Sequence, residues 1–501
     1  MSKTSPASYR RLEQHFAKIF QLRRAIHILQ WDSATMMPPG AAEIRAKEIA
    51  NLCVLNRELT ASLQVAEWLA EAEEEKDSFS PWQQANIEEM KRRHLHAKAT
   101  PPDVVERLTQ ATTACEMFWR TARAKNDFKG LLPYFQKVLK FIRLQAKAKA
   151  QALNKTPYDA LLDHYEPGIT SSEIDPIFQK VESFLPNLVQ EVIHYQKKHL
   201  PALPLQGTFP LEKQRQLSLK IMEVLGFDFQ HGRLDTSSHP FCGGTSDDVR
   251  ITTRYNKKDF FPGLMGTIHE TGHALYEFGL PKKWRFQPVG QARGMSLHES
   301  QSLLFERLAC HSREFFRFLA PLVRKIFRQK GKAWEAENLY RLGVRVRRSL
   351  IRVEADEVTY PLHIILRYKL EKAMVEGELE PSDLPLAWKD EMKKLLGIAP
   401  PNDRNGCMQD IHWMEGLFGY FPTYTLGAMT AAQLYEAAVR KHPQIPQEIS
   451  KGDFSTLLTW LRKNVHSKAS LLPTKVLIQN ATGSPLSAKL FENYLRKRYL
   501  A

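Results

Sequence analysis

The chain has 501 residues, 43% of them hydrophobic and 25% charged, with a formal net charge of +16 at pH 7 and a pI near 9.4. That content can bury a large core and the length would allow two or three domains. No stretch reaches the roughly 18 uninterrupted apolar residues of a membrane span, and the five scattered cysteines exclude a disulfide framework and a cysteine-based zinc site.

Met1 to Lys18 has no charged region leading into an apolar run and a small-residue cleavage site, so the expected setting is cytoplasmic. The basic clusters Lys282-Lys283-Trp284-Arg285 and Arg496-Lys497-Arg498 are short and lack any nucleic-acid module around them. They read as solvated helix faces, and no nucleic-acid or membrane partner is expected. The basic balance would instead reflect the proteome of origin or favour anionic peptide carboxylates by steering.

The first 200 residues read as successive amphipathic helices. Glu13 to Leu29 places Phe16, Ile19, Phe20, Ala25 and Ile26 at helical spacing and ends in the turn Trp31 to Gly40, where Pro38-Pro39-Gly40 forces a break. Further helices are expected over Ala41–Leu59, Leu63–Glu75, Trp82–Ala99, Val104–Lys125 and, beyond Pro133, Tyr134–Leu153. Prolines 201, 204 and 210 mark an extended connection. From Arg233 to Asn256 turn residues and β-branched residues dominate, and Val249, Ile251 and Thr253 alternate with Arg250, Thr252 and Arg254. A small sheet is expected here. It could hold an extended peptide by main-chain pairing, with His239 and Arg250 either touching substrate or bracing the sheet.

The most informative stretch follows at once, Thr267-Ile268-His269-Glu270-Thr271-Gly272-His273. Residues four apart lie about one turn apart on one helix face, so His269 and His273 can reach one metal ion. Glu270 projects to the side, where it can act as a general base. Zinc held by neutral imidazoles lowers the pKa of its water from about 15.7 to about 7. The apolar flanks Phe261, Leu264, Met265, Ile268, Ala274 and Leu275 bury this helix, and buried polar groups need partners. Such a site needs a third protein ligand. Beyond a stretch broken by Pro281, Pro288, Gly290 and Gly294, His298-Glu299 offers two candidates that point about 100° apart on a helix. Glu299 is chosen, because two histidines and a glutamate are the commoner peptidase set.

Five short motifs in order, His239-Pro240-Phe241, Asp248-Val249-Arg250-Ile251-Thr252, the metal helix, His298-Glu299-Ser300 and Ile351-Arg352-Val353-Glu354-Ala355-Asp356, resemble the carboxypeptidase Taq family of metallocarboxypeptidases. The resemblance runs nearly end to end. It implies a mainly α-helical zincin in which residues 1–501 form a single unit. A helical cap would span about 1–200, and the metal and groove region about 230–430, with the small sheet beside the metal helix. It also implies a deep groove, release of single amino acids from peptides with a free C-terminus, and a homodimer. His269, His273 and Glu299 would be the ligands of Zn2+, with Co2+ or Mn2+ also compatible, and Glu270 the base. An endo-acting oligopeptidase is the nearest alternative, and a silent scaffold the alternative of another class.

Tyr340 to Tyr360 is expected to be helical, with Arg341, Arg345, Arg348 and Arg352 within about 60° of one another on one face. Glu354, Asp356 and Glu357 would answer part of that charge. A carboxypeptidase must hold a terminal carboxylate, and a guanidinium does so bidentately. Arg352 is assigned that role, Arg348 is the runner-up, and an Arg352–Asp356 pair is the structural alternative. Leu379 to Pro401 reads as helix. Beyond it, His412, Tyr420 and Tyr424 are candidate donors to an oxyanion, Tyr420 and Tyr424 lying in a Gly-Tyr-Phe-Pro-Thr-Tyr run that also resembles the family. Ala431 to Ala501 reads as closing helices.

Overall fold

The computed structural model describes residues 6–500. The N-terminal third is helical: α1 (Ala7–Thr35), α2 (Ala42–Ala61), α3 (Leu63–Glu74), α4 (Pro81–Ala99), α5 (Pro102–Lys125), α6 (Phe128–Leu153), α7 (Pro157–Tyr165), α8 (Ser171–His199) and α9 (Leu211–Leu225). A three-stranded sheet follows, β1 (Gly232–Thr236), β2 (Phe241–Thr245) and β3 (Asp248–Thr253). Next come α10 (Phe261–Gly279), α11 (Met295–Leu303, running on as one wide π turn over Leu304–Ala309), α12 (Arg313–Phe327), α13 (Ala336–Gly343), α14 (Tyr360–Glu376) and α15 (Leu384–Leu396). The chain closes with α16 (Pro422–Lys441), α17 (Ile445–Ile449), α18 (Ser455–Asn464), α19 (Thr474–Thr482) and α20 (Ala488–Tyr499). The expected mainly α fold with a small sheet is borne out. No helix among the described residues is long and apolar enough to cross a membrane.

The strand order is β1-β3-β2, with β3 parallel to β1 and antiparallel to β2. The alternation read from the sequence sorts the faces of β3. Val249, Ile251 and Thr253 are buried, and Thr253 Oγ1 donates to the Gly263 carbonyl of α10 at 3.1 Å. Opposite one another in register, Arg233 and Arg250 share the other face, where both guanidinia lie over the Trp31 ring of α1, at 4.9 and 4.3 Å. The sheet is thus fixed between α10 and α1.

Burial falls into three clusters. A small one joins α1, α3 and α4 through Tyr9, Phe16, Val65 and Met90; a second lies between the sheet and α9–α10; the large one runs from Ala111 to Tyr499.

Four expectations are corrected. Helix α1 continues through Trp31 to Thr35, and Trp31 is a buried helical residue rather than part of the turn. Pro133 lies inside α6, because the helix has already started at Phe128 under an Asp127 cap that accepts from Gly130 N at 2.8 Å. The helix over Leu379 to Pro401 is shorter, Leu384–Leu396. Most consequential is Tyr340 to Tyr360, which is not one helix. Helix α13 stops at Gly343 and Arg352–Glu354 form a single 3-10 turn. Side chains satisfy the backbone in between: Gln196 of α8 donates to Val344 O and accepts from Val346 N, and Asp356 accepts from the amide of Arg347 while also taking those of Val358 and Thr359 just after it. The row of four arginines therefore does not exist. Arg345 and Arg348 are exposed, and Arg348 lies over Gly397 at the end of α15.

Candidate metal centre

Helix α10 is buried along most of its length, and His269 and His273 project from it on consecutive turns, their rings 5.0 Å apart. Glu299 arrives on α11. Its Oε2 lies 3.7 Å from His269 Nε2 and 3.4 Å from His273 Nε2, and one ligand atom from each of the three residues falls within 4.8 Å of the others. Two glycines allow this approach. A Cβ on Gly272 of α10 would come within 2.7 Å of Gln301 O and Ser302 Cα on α11. From the other side, a Cβ on Gly427 of α16 would meet Glu299 Cβ at 2.9 Å and Cγ at 3.0 Å. The helix carrying Glu299 is clamped between two glycine faces.

Both imidazoles are held by their far edges. His269 Nδ1 donates to Glu306 Oε2 at 2.8 Å, and His273 Nδ1 lies 3.1 Å from the His298 carbonyl and 2.6 Å from His298 Nδ1. His298 in turn donates from Nε2 to Glu277 at 3.0 Å. This chain places His298 behind His273, at its Nδ1 edge, while Glu299 joins the cluster formed by the two Nε2 atoms. With each Nδ1 engaged, both Nε2 lone pairs face Glu299, which is the tautomer a metal ligand needs.

The electrostatics fit a cation. Burial alone would push the His269 imidazole down, but the charges of Glu299, Glu306 and Glu270 hold it up, to about 10. Three carboxylates, Glu270 and Glu306 buried and Glu299 partly so, thus gather around one point that calls for positive charge. His273 is pushed down to about 4, by burial first and then by His298. Burial raises Glu270 to about 7, with His269 opposing and Glu299 and Glu306 adding to the rise. Glu306, in spite of burial, is drawn down to about 2 by Arg307 and by its bond to His269. The donor set, two imidazoles with their Nδ1 edges engaged and a carboxylate, suits a borderline divalent ion, which would take the place of the proton on His269.

Around this point the structure gathers most of the other predicted residues. Tyr420 and Tyr424 stack edge-to-face at 5.3 Å, His412 lies 6.1 and 6.5 Å from them, and the charge of Glu299 acts on both tyrosines. His412 is pushed down to about 4, by burial and then by Arg352, so it is a neutral imidazole. Arg352 packs its guanidinium 5.4 Å from the Tyr424 ring, donates to the Tyr360 hydroxyl at 2.9 Å and pairs with Asp410 at 2.8 Å. Its partner is thus Asp410, and the Arg352–Asp356 pair is not formed, because Asp356 is occupied by backbone amides. Glu357 pairs with Arg498 and accepts from Tyr494 and Tyr499. Three predicted residues have other settings, Arg348 being exposed over Gly397. His239 is exposed in the turn between β1 and β2, and Arg250 is tied to Asp248 and Trp31.

Sequence reading passed over Glu306, Asp410, Arg367, Tyr360 and Glu277. Glu306 follows Glu299 by seven residues, two turns along one helix face, which was a usable signal. Asp410 takes Arg352 on one oxygen and Arg367 Nε on the other at 2.7 Å, a pairing across three segments that no local pattern announces.

A mainly helical chain with two histidines one turn apart, a glutamate brought to them from a second helix, and a carboxylate behind the first histidine has the design of a metallopeptidase. The family profile described as carboxypeptidase Taq (M32) metallopeptidase matches residues 11–499. Thermostable carboxypeptidase 1 of Thermus thermophilus is 38% identical over 99% of both chains, and carboxypeptidase 1 of Bacillus subtilis is 33% identical over 96% of both. Among solved structures, Trypanosoma cruzi metallocarboxypeptidase 1 superposes with a TM-score of 0.96 at 39% identity over 99% of each chain. The chain belongs to the carboxypeptidase Taq family and is a metallocarboxypeptidase, as its motifs suggested.

Proposed function

We propose that this protein releases single amino acids from the C-termini of peptides, with His269, His273 and Glu299 holding a divalent ion, Zn2+ in the first instance and Co2+ or Mn2+ as substitutes. The observation that carries the reading is the convergence of two Nε2 atoms and one carboxylate oxygen while both Nδ1 edges are engaged. A cation held there supplies Lewis acidity, polarising the scissile carbonyl and lowering the pKa of water. The remaining work falls to the chain itself. Glu270, raised to about 7 by burial, is matched to taking a proton near neutral pH and handing it to the leaving amine. Tyr420 or Tyr424, both raised by burial and so protonated, can donate to the developing oxyanion, with neutral His412 beside them.

For the terminal carboxylate the reading favours Arg352 over Arg348. Arg352 and Arg367 share Asp410, which leaves one buried positive charge in excess beside Tyr424 and Tyr360. A substrate carboxylate would neutralise it. Exposed Arg348, stacked over Gly397, has no comparable setting. His239 and Arg250 act as bracing residues in this reading. Residues 1–501 work as one catalytic unit, in the cytoplasm and as a homodimer, in line with the family resemblance.

The test uses one N-blocked and one C-amidated peptide, each with protein before and after chelation, followed by mass spectrometry. Stepwise loss of C-terminal residues from the N-blocked peptide alone, abolished by chelator, is the expected result. Internal cuts in both peptides would replace it with an oligopeptidase, and no cleavage with metal bound would leave a silent scaffold.

A further inference from the structure

A cavity of about 570 Å³ lies under the N-terminal helices and reaches His298, the residue behind His273. His298, Met295 and Tyr420 form one wall, α1, α2 and α4 the other. Its lining holds Arg23, Arg57, Arg92, Arg93 and Lys149 and no carboxylate. His96 and His164 also face it, both pushed down by burial and so neutral.

The acids behind this lining are already shared. Glu89 pairs with Arg92 and Arg293, and Asp163 with His96, Arg92 and Lys155. Arg57 donates to the carbonyls of Ala97 and Thr100. Among the described residues Arg93 hydrogen-bonds only the neutral amide of Gln291, at 3.1 Å, and Arg23 the same oxygen at 3.4 Å. Lys149 is 8% exposed and has no hydrogen bond or ion pair among the described residues. Burial pushes Lys149 down to about 8, and burial together with Arg23 pushes Arg93 down to about 9. Arg23, Arg93 and Lys149 form no ion pair among the described residues, and Glu277, Glu89 and Asp163 act on them only through space, so a charge shortfall is left that an anion relieves.

Position identifies the source of that anion. Tyr420 touches Tyr424, on the Arg352 side, at 5.3 Å and Tyr165, on the cavity side, at 5.0 Å. A peptide whose last carboxylate lies at Arg352 therefore passes Tyr420 with its amino-side residues toward the basic cavity. We propose that this cavity is a specificity subsite for an acidic side chain, aspartate or glutamate, on the amino side of the scissile bond, with Arg93 and Lys149 as its contacts. The subsite rests on the carboxypeptidase reading above.

The test compares N-blocked hexapeptides that share a C-terminal residue and carry Glu or Gln at each upstream position in turn. The metal-loaded wild type should show a kcat/KM at least about tenfold higher for Glu at one of these positions, the low end of a charge-assisted hydrogen bond. Arg93→Gln should bring that ratio to within about threefold, the loss falling mainly on the Glu peptide. Lys149→Met should lower the ratio too, and Arg93→Lys should restore part of it. Metal content and thermal unfolding of each variant establish that it is folded. Equal rates for the Glu and Gln peptides in wild type would overturn the subsite and leave the carboxypeptidase standing. A loss in Arg93→Gln that is equal for both peptides would also overturn it, placing the terminal carboxylate in the cavity. Absence of C-terminal release from any peptide would remove both readings together.

Discussion

Replacing Gly272 with alanine tests whether glycine contact between helices sets the ligand geometry. The new methyl would sit 2.7 Å from Gln301 O and from Ser302 Cα, both backbone atoms of α11 that cannot swing aside. Reaching an ordinary contact of about 3.5 Å needs roughly 0.8 Å of separation, whereas metal–ligand distances hold to about 0.2 Å. Overpacking costs about 1–3 kcal/mol and the gain in helix propensity returns about 1 kcal/mol, a net loss of about 0–2 kcal/mol. Unfolding entropy of about 2 cal/mol/K per residue makes that a fall in Tm of no more than about 2 °C for a chain this long. The fold should survive while the ligand set is spoiled. Zinc affinity, measured by competition with a chromophoric chelator, should fall by at least about tenfold, in the range of changes just outside a metal's ligands. Gly427→Ala, which presses on Glu299 itself, should act alike. Gly266→Ala is the control on the same helix, since its methyl would meet only Pro240 Cγ at 4.0 Å. Unchanged metal affinity in Gly272→Ala, or equal losses in Gly266→Ala, would refute the reasoning.

Glu270→Gln should bind metal normally and lose essentially all turnover, and substantial residual activity would remove Glu270 as the base. Glu306→Gln keeps an oxygen for His269 Nδ1 but deletes its charge, so metal affinity should drop by about 10–100-fold, read by the same chelator competition. Glu371 provides a pH signature. Burial raises its carboxyl to about 8, although Tyr158, Trp413 and the Gly419 amide all donate to it. The folded pKa exceeds the unfolded one, so the native state holds the extra proton between about pH 4.5 and 8. Its contribution is full below that window and is lost as pH rises through it, by up to about 1.4 kcal/mol per unit. Denaturant unfolding at pH 5 and pH 8 should therefore differ more in wild type than in Glu371→Gln; equal differences would contradict the assignment.

The metal helix was legible because its chemistry is local: two histidines one turn apart, a glutamate between them, apolar neighbours on the buried face. Glu299 could be found because a zinc site demands a third ligand and the intervening prolines and glycines let the chain return. The sheet was legible from the alternation of Val249, Ile251 and Thr253. Arg352 was picked out by its family motif, but the helix drawn through it was wrong. Helical spacing of arginines is a pattern that any basic segment can show, and Gln196, from outside the segment, together with Asp356, further along it, supplies the hydrogen bonds that hold it irregular.

What the sequence by itself determined, then, is the candidate ligand cluster of His269, His273 and Glu299, the family and the mainly helical class, since each rests on neighbours along the chain. Tertiary structure alone decided which groups surround them: Glu306 and His298 behind the histidines, Asp410 between two arginines, and five cations gathered into one cavity from α1, α2, α4 and α6. Those arrangements join residues tens to hundreds of positions apart. Their charges act through space at distances that only packing sets, and no periodicity in the chain encodes them.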